Sequence, residues 1–507
     1  MKQSMAGRMG RGLMAGMLLC TGTLFGAVRL PAFFADGMVV QRDRALPLWG
    51  WDDPGERVTV TIAGQSLEGT AAGDGRWQVT LAPLSAGSGP HTLRILGSSE
   101  RMIRNVLVGE VWIASGQSNM QWAVRNSLNP DEEIAAADYP EMRLFQVALE
   151  GALEPQRDVT GQWRACSPES IPGFSAVAYY FGRKLHAELG VPVGLIQTCW
   201  GGTPAQAWTS REALAAEPAL KHYIEKTDRI AANLDALEKR YEETLASWPE
   251  RVRQAREQGE RPPRRPQPPL KNAATCLFNA MIHPLIPLAV RGAIWYQGES
   301  NAGRAYEYRT LFPTMIRDWR SRWKQEDFPF LFAQLANFRA VQSDPNNGSA
   351  WAELREAQLM TLQEVPNTGM AVLIDIGEAD NIHPRNKQDV GGRLARWALA
   401  QTYGRDVVKS GPLYREHRRE GSTIRLLFDY ADGGLTTRGQ ALKGFAVAGP
   451  DRVFHWAEAE IDGDTVLVRA EEVSDPVAVR YGWADNPVCT LYNEAGLPAS
   501  PFRTDDW

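Results

Sequence analysis

Three short stretches carry residue types suited to acyl transfer. In Gly116-Gln117-Ser118-Asn119-Met120 a serine sits in a glycine-containing turn directly after an apolar run. At the carboxyl edge of a parallel sheet, such a turn presents Oγ outward and leaves the serine's own N–H free to help bind an oxyanion. The spacing is not G-x-S-x-G, and a serine in a glycine turn is most often only a turn. In Asp380-Asn381-Ile382-His383-Pro384 one of seven histidines follows a carboxylate by three residues. A carboxylate so placed can accept from one imidazole nitrogen while the other faces a hydroxyl, which fixes the tautomer a general base needs. The competing structural reading is a helix start capped by Asp380 or Asn381. Gly201 and Gly202 in WGGTPAQAW, with Gln297 in WYQGESNA, supply N–H groups that could converge on a developing oxyanion. Singly each is weak, because glycine pairs mark turns and a loop glutamine is ordinarily solvated.

Their placement makes them more than a collection. Five nearly continuous apolar runs lie at 108–116, 191–200, 290–299, 328–337 and 369–377, and the candidate residues follow four of them. Runs of this kind separated by helices predict strands of a parallel sheet covered on both faces. FSAVAYYFGRKLHAEL and QDVGGRLARWALAQTYG are two of the helices, and an α/β core over 106–405 follows. Open parallel sheets place their sites at the carboxyl ends of strands. On either side, 28–105 and 406–507 show short alternating runs such as RVTVTIAG and DTVLVRAEEV between turn residues, and both are expected to be β-rich. These end segments are expected to pack as one composite sandwich or to form two modules. Within the core, 211–270 is too long for a crossover. Apolar residues from Leu220 to Trp248 recur at three- and four-residue steps, predicting an amphipathic helical insertion followed by the exposed RPPRRPQPP segment. A lid, an oligomer contact and a solvated decoration are the readings open for it.

Composition narrows the function classes. Of 507 residues, 44% are hydrophobic and 23% charged, which describes a folded chain and excludes disordered or rod-like architectures. A formal charge of -5 gives no excess of base for a phosphate backbone, so no nucleic-acid partner is expected. Lys2, Arg8 and Arg11 lead into the apolar run Leu13 to Phe25, the pattern of a secretory signal over 1–27, and the protein is expected to be secreted or periplasmic. Beyond residue 30 no uncharged apolar stretch reaches about 18 residues, and no membrane association is expected. Cys20 would leave with the signal; Cys166, Cys199, Cys276 and Cys489 form no C-x-x-C, leaving one or two disulfides open and a zinc site excluded. No metal or organic cofactor is expected, since neither a ligand cluster nor a G-x-G-x-x-G after a strand occurs.

The stretches FADGMVVQRDRALPLWGW, VLVGEVWIASGQSNM, VPVGLIQTCWGGTPAQAW, VRGAIWYQGESN, DIGEADNIHPRNKQDVGGRLA and GLPASPFRTDDW resemble the sialate O-acetylesterase family, within the SGNH (GDSL-like) hydrolases. The resemblance implies an SGNH-type five-stranded parallel sheet flanked by helices, with jelly-roll-like β-sandwich domains from the end segments. It implies Ser118 as nucleophile, His383 as base, Asp380 as its orienting carboxylate, and an oxyanion hole from the Ser118 N–H, Gly201 or Gly202, and Gln297. Glu299 is a rival for the orienting carboxylate. Gln117, Asn119, Asn301 and Arg355 are candidates to touch substrate or support the site. The reaction implied is removal of O-acetyl groups from a carbohydrate through an acyl-enzyme, on sialic acid or on a plant polysaccharide such as xylan or xyloglucan. A non-catalytic carbohydrate-binding protein is the alternative from another class. The oligomeric state is left open.

Overall fold

The computed structural model describes residues 26–507 apart from 88, 326 and 432, so the signal read over 1–27 lies almost wholly outside the described residues. The organising element is a strand of 17 residues, β1 (Glu100–Gly116). Its first part mixes exposed and buried residues, as suits a sheet with one wet face, and from Val106 onward every residue is buried. The first part pairs antiparallel with His91–Leu96, and Leu107–Gly109 pair in parallel with Val39–Gln41.

From Glu110 onward β1 is the middle of the largely parallel sheet. We number the other strands β2 (Tyr139–Gln146), β3 (Trp163–Cys166), β4 (Val193–Gln197), β5 (Gly292–Tyr296), β6 (Phe330–Ala333) and β7 (Thr368–Ala371). The order across the sheet is β7-β6-β5-β1-β4-β2-β3, parallel throughout except that β3 runs antiparallel to β2. The expected five strands are all present, and the count is corrected to six parallel strands with an antiparallel edge. β2 escapes an apolar-run reading because its first three residues, Tyr139, Pro140 and Glu141, are not buried. The chain leaves β1 for one side, through β2 and β4, and then for the other, through β5. The carboxyl end of β1 is therefore the switch point where a ligand crevice opens.

Side chains alternate between two cores along β1: Val111 and Ile113 face one, Trp112 and Ala114 the other. The second core is roofed by α1 (Ala176–Leu189) and by a later helix, Lys387–Trp397. These two approach so closely that a Cβ on Gly391 would lie 2.7 Å from the backbone nitrogen of Phe181.

Within 211–270, after a short helix Arg211–Ala216, the apolar period is carried by two helices, α2 (Lys221–Ala231) and α3 (Leu234–Glu257), where the periodicity suggested one. The chain breaks at Asn233, whose side chain turns back onto the Arg229 carbonyl. α2 buries Tyr223, Ile224 and Thr227 against the core, whereas α3 buries only Ala255. Beyond them lie α4 (Ala305–Trp323), α5 (Ala350–Glu364) and α6, the Lys387–Trp397 helix. The C-terminal segment forms two four-stranded antiparallel sheets, and no strand pairing joins it to the N-terminal segment among the described residues. The two ends thus do not share a sheet. Cys166, Cys199, Cys276 and Cys489 are free thiols, so no disulfide links the described residues. No helix among them is long and apolar enough to cross a membrane.

Arg355, a candidate substrate residue, is instead a structural pin. Its guanidinium is fully buried and donates to the carbonyls of Leu335, Ala336, Ala484 and Asp485, tying α5 to the C-terminal segment. Burial lowers its pKa to about 10, which still leaves it charged at neutral pH. A second buried charge sits under the sheet. Glu110, on β1, accepts from Arg42 at 2.5 Å, Gln41 at 3.1 Å and Arg291 at 2.7 Å, joining the N-terminal segment to the residue that leads into β5. Burial alone would raise its pKa, but the bonds from Arg291, Arg42 and Gln41 prevail and hold it below the usual carboxylate value. A carboxylate depressed in this way stabilises the fold above its unfolded pKa and loses that contribution as pH falls through its folded pKa. Glu110→Gln is expected to cost about 3 kcal/mol at pH 7 by leaving two arginines underpaired. In thermal melts the gap to the wild type should close as the pH is lowered into the acid range.

Candidate active site

Gly116 ends β1 at φ +135°, and a Cβ there would lie 2.3 Å from the Tyr296 carbonyl. Only glycine fits this meeting of strands. Around it, the Gln117 N–H donates to Tyr296 O at 2.9 Å and the Trp200 N–H to Gly116 O at 3.1 Å, so the loops after β1, β4 and β5 converge. Ser118 then opens a one-turn helix, Ser118–Gln121. A residue there has no intrahelical acceptor for its N–H.

Across the sheet edge, the loop after β7 brings His383 to it. Its Nε2 stands 2.8 Å from Ser118 Oγ, across 265 residues of sequence. Trp122 stacks on the imidazole with centroids 4.9 Å apart and planes 15° off parallel. The His383 loop is closed by Asn381, whose Oδ1 accepts the His383 N–H and whose Nδ2 donates to the His383 carbonyl and to Glu378. Glu378 also accepts the Arg385 N–H at 2.8 Å. Burial, and next the positive charge of Lys387, lower the pKa of His383, which favours the neutral imidazole a base requires.

Asp380 does not join this contact: it is exposed, and no hydrogen bond connects it to His383 among the described residues. Glu299 does not either. Its Oε1 accepts from Asn119 Nδ2 at 2.5 Å, its Oε2 is buried without a partner, and burial raises its pKa. Asn119 is almost fully buried, and its Oδ1 accepts from Lys387 Nζ at 2.6 Å. Gln117 is buried and accepts the Ser300 N–H, holding the loop after β5.

The expected donors divide. Gly201 packs against Ser118, with a Cβ position 3.1 Å from Ser118 Cβ, but its N–H is taken by Gln121 Oε1 at 2.7 Å. Gly202, at φ +76°, has an N–H without a partner among the described residues. Gln297 is corrected from oxyanion donor to scaffold. It is fully buried, its amide donates to Asn301 at 2.7 Å and to Thr203 at 3.4 Å, and its oxygen accepts from Tyr308. Asn301 in turn accepts the Ala205 N–H and donates to Gln206, so it too braces the loops.

Beside this cluster is a cavity of about 440 Å³ walled by Gly202, Ser300, Arg304 and the α2 residues Tyr223 and Lys226. Two cations and no carboxylate line it. A third cation is close by: a Cβ at Gly202 would be 3.8 Å from Lys271 Nζ, which donates to Gln267 and stands over the Trp200 ring. Sequence reasoning missed Trp122, Gln121, Lys387 and the α2 wall. Trp122 and Gln121 were readable only as neighbours of the serine turn, and nothing in the α2 periodicity points to a site.

Comparison with known proteins identifies the family. A family described as carbohydrate esterase, sialic acid-specific acetylesterase, matches residues 272–400. The sialate O-acetylesterase of Mus musculus is 32% identical over 94% of this chain and 94% of its own length. That of Homo sapiens is 30% identical over 94% of this chain and 92% of its own. A crystal structure of a carbohydrate acetylesterase from Xanthomonas citri superposes with a TM-score of 0.81 at 39% identity, covering 95% of this chain and all of that one. With full-length similarity of this degree, the chain belongs to the sialate O-acetylesterase family of carbohydrate esterases.

Proposed function

We propose that the protein hydrolyses O-acetyl esters of an acidic sugar, such as O-acetylated sialic acid, through an acyl-enzyme on Ser118. The Ser118–His383 contact at 2.8 Å carries the reading. His383 takes the serine proton as Oγ attacks the acetyl carbonyl, then returns it to the sugar hydroxyl that leaves. Water, activated by the same imidazole, frees acetate. The N–H groups of Ser118 and Gly202 are the donors for the oxyanion, and Trp122 holds the ring of the base. A non-catalytic binding protein has no use for this contact.

The cavity that Gly202 borders supports an acidic sugar over a neutral one, since Lys226 and Arg304 line it with no carboxylate in the lining, the Glu307 carboxylate that pairs with Arg304 standing outside it. The mouse and human relatives bear the name sialate O-acetylesterase. The basic, apolar N-terminal stretch fits export of the mature protein.

Acetate release from O-acetylated sialic acid, set beside acetylated xylan and xyloglucan, tests the substrate; faster turnover of either plant polymer would overturn the acidic-sugar reading. Ser118→Ala is expected to lower kcat by about 10⁴-fold or more. Replacing Lys226 and Arg304 together by alanine should raise KM for the acidic sugar with little change in kcat, and leave a neutral acetyl ester unaffected. Because the pKa of His383 is lowered from its ordinary 6.5, the activity should fall only as the pH drops below that value, which a kcat/KM profile reads directly. Asp380→Asn, altering an exposed side chain without a bond to the imidazole, should cost about tenfold or less, against about 10⁴-fold for a carboxylate that holds the base in its tautomer.

A further inference from the structure

Both the oxygen and the nitrogen of the Asn119 amide are engaged. Its oxygen accepts from Lys387 Nζ at 2.6 Å, and its nitrogen donates to Glu299 Oε1 at 2.5 Å and to the Ile382 carbonyl at 3.0 Å. Asn119 follows the nucleophile directly, and Ile382 directly precedes the base. One side chain therefore bridges the two backbones that carry the reacting groups.

Its two other partners decide which way the amide points. An ammonium only donates and an ionised carboxylate only accepts, so protonated Lys387 selects the oxygen and ionised Glu299 the nitrogen; burial lowers the pKa of Lys387 to about 7 and raises that of Glu299, which ties this selection to pH. The second N–H is then left facing the Ile382 carbonyl. Lys387 is fully buried, stands 5.3 Å over the Tyr296 ring, and forms no direct ion pair among the described residues. Buried charges held in this way contribute little to stability compared with apolar side chains of similar volume.

We propose that Asn119, held in one orientation by Lys387 and Glu299, is a positioning residue that sets the spacing of His383 from Ser118. This rests on Ser118 and His383 being the catalytic pair. An aspartate at 119 lacks the donor for Ile382, and an alanine lacks all three bonds. Loss of Lys387 frees the amide to turn, which withdraws its N–H from the His383 loop.

The charged groups on the segment of the imidazole are Lys387, Arg385, Glu378 and Asp380, and Glu299, on the loop after β5, meets that segment through Asn119. Of these, Lys387 bears on the imidazole most directly, opposing its protonation.

The experiment compares Asn119→Ala, Lys387→Met and Ser118→Ala for acetate release across pH, with thermal melts to verify folding. Asn119→Ala is expected to lower kcat about 100-fold with KM nearly constant, the size of effect a small misplacement of reacting groups produces. Lys387→Met keeps the volume and serves if the alanine variant does not fold. It should lower kcat about tenfold and move the acid limb of kcat/KM to higher pH, because the cation opposing imidazolium is gone. A folded Lys387→Met enzyme with wild-type kcat and an unmoved acid limb would overturn the positioning role while Ser118→Ala remained inactive. Acetate release surviving in Ser118→Ala would overturn the catalytic pair, and the role of Asn119 with it.

Discussion

The absence of a side chain at Gly116 is the constraint on which the site depends. Three parallel strands end at one point, and the Tyr296 carbonyl occupies the space a Cβ would need. The backbone bonds that fill that point fix the loops after β1, β4 and β5 relative to one another. Ser118, Gly202 and Ser300 then become neighbours although the sequence scatters them. Nothing of this requires a rigid core beyond what a buried parallel sheet already supplies; it requires that the strands end together.

Around that point the polar residues divide into those that face the crevice and those that hold it open. Gln117, Gln297 and Asn301 are amides next to Ser118 or the loops around it, and all three spend hydrogen bonds on backbone, on each other or on the neighbouring Gln206 and Tyr308. Buried amides must be satisfied, and a satisfied amide is not available to a transition state. The cations are arranged the other way, with Lys226 and Arg304 left at the wall of an open cavity.

The strands of the core and the positions of Ser118 and His383 were legible because continuous apolar runs of strand length are hard to read otherwise, and because the candidate residues fall at the ends of several of those runs together. β2 was hidden by its polar start, and the break at Asn233 by an apolar period that runs on through it. The residues read differently from sequence have separate causes. Asp380 is exposed and makes no bond to His383, Gln297 spends its amide on Asn301 and Thr203, and Arg355 is claimed by carbonyls about 130 residues away, at Ala484 and Asp485. Lys387 shows the converse, since a lysine at a helix start reads as solvated and here is fully buried. The Glu110 cluster was equally invisible, its partners being Gln41, Arg42 and Arg291.

The 265 residues that separate the serine from its histidine also order events in time. A ribosome delivers β1 early, with the partners His91–Leu96 and Val39–Gln41 already made, so the first sheet can pair before the largely parallel one exists. The strands that flank the serine, β4 and β5, come later, and the loop with His383 later still. Until then the nascent chain holds an ordinary alcohol. The Ser118–His383 contact can thus form only once residue 383 has been made, when most of the polypeptide is already available to enclose the site.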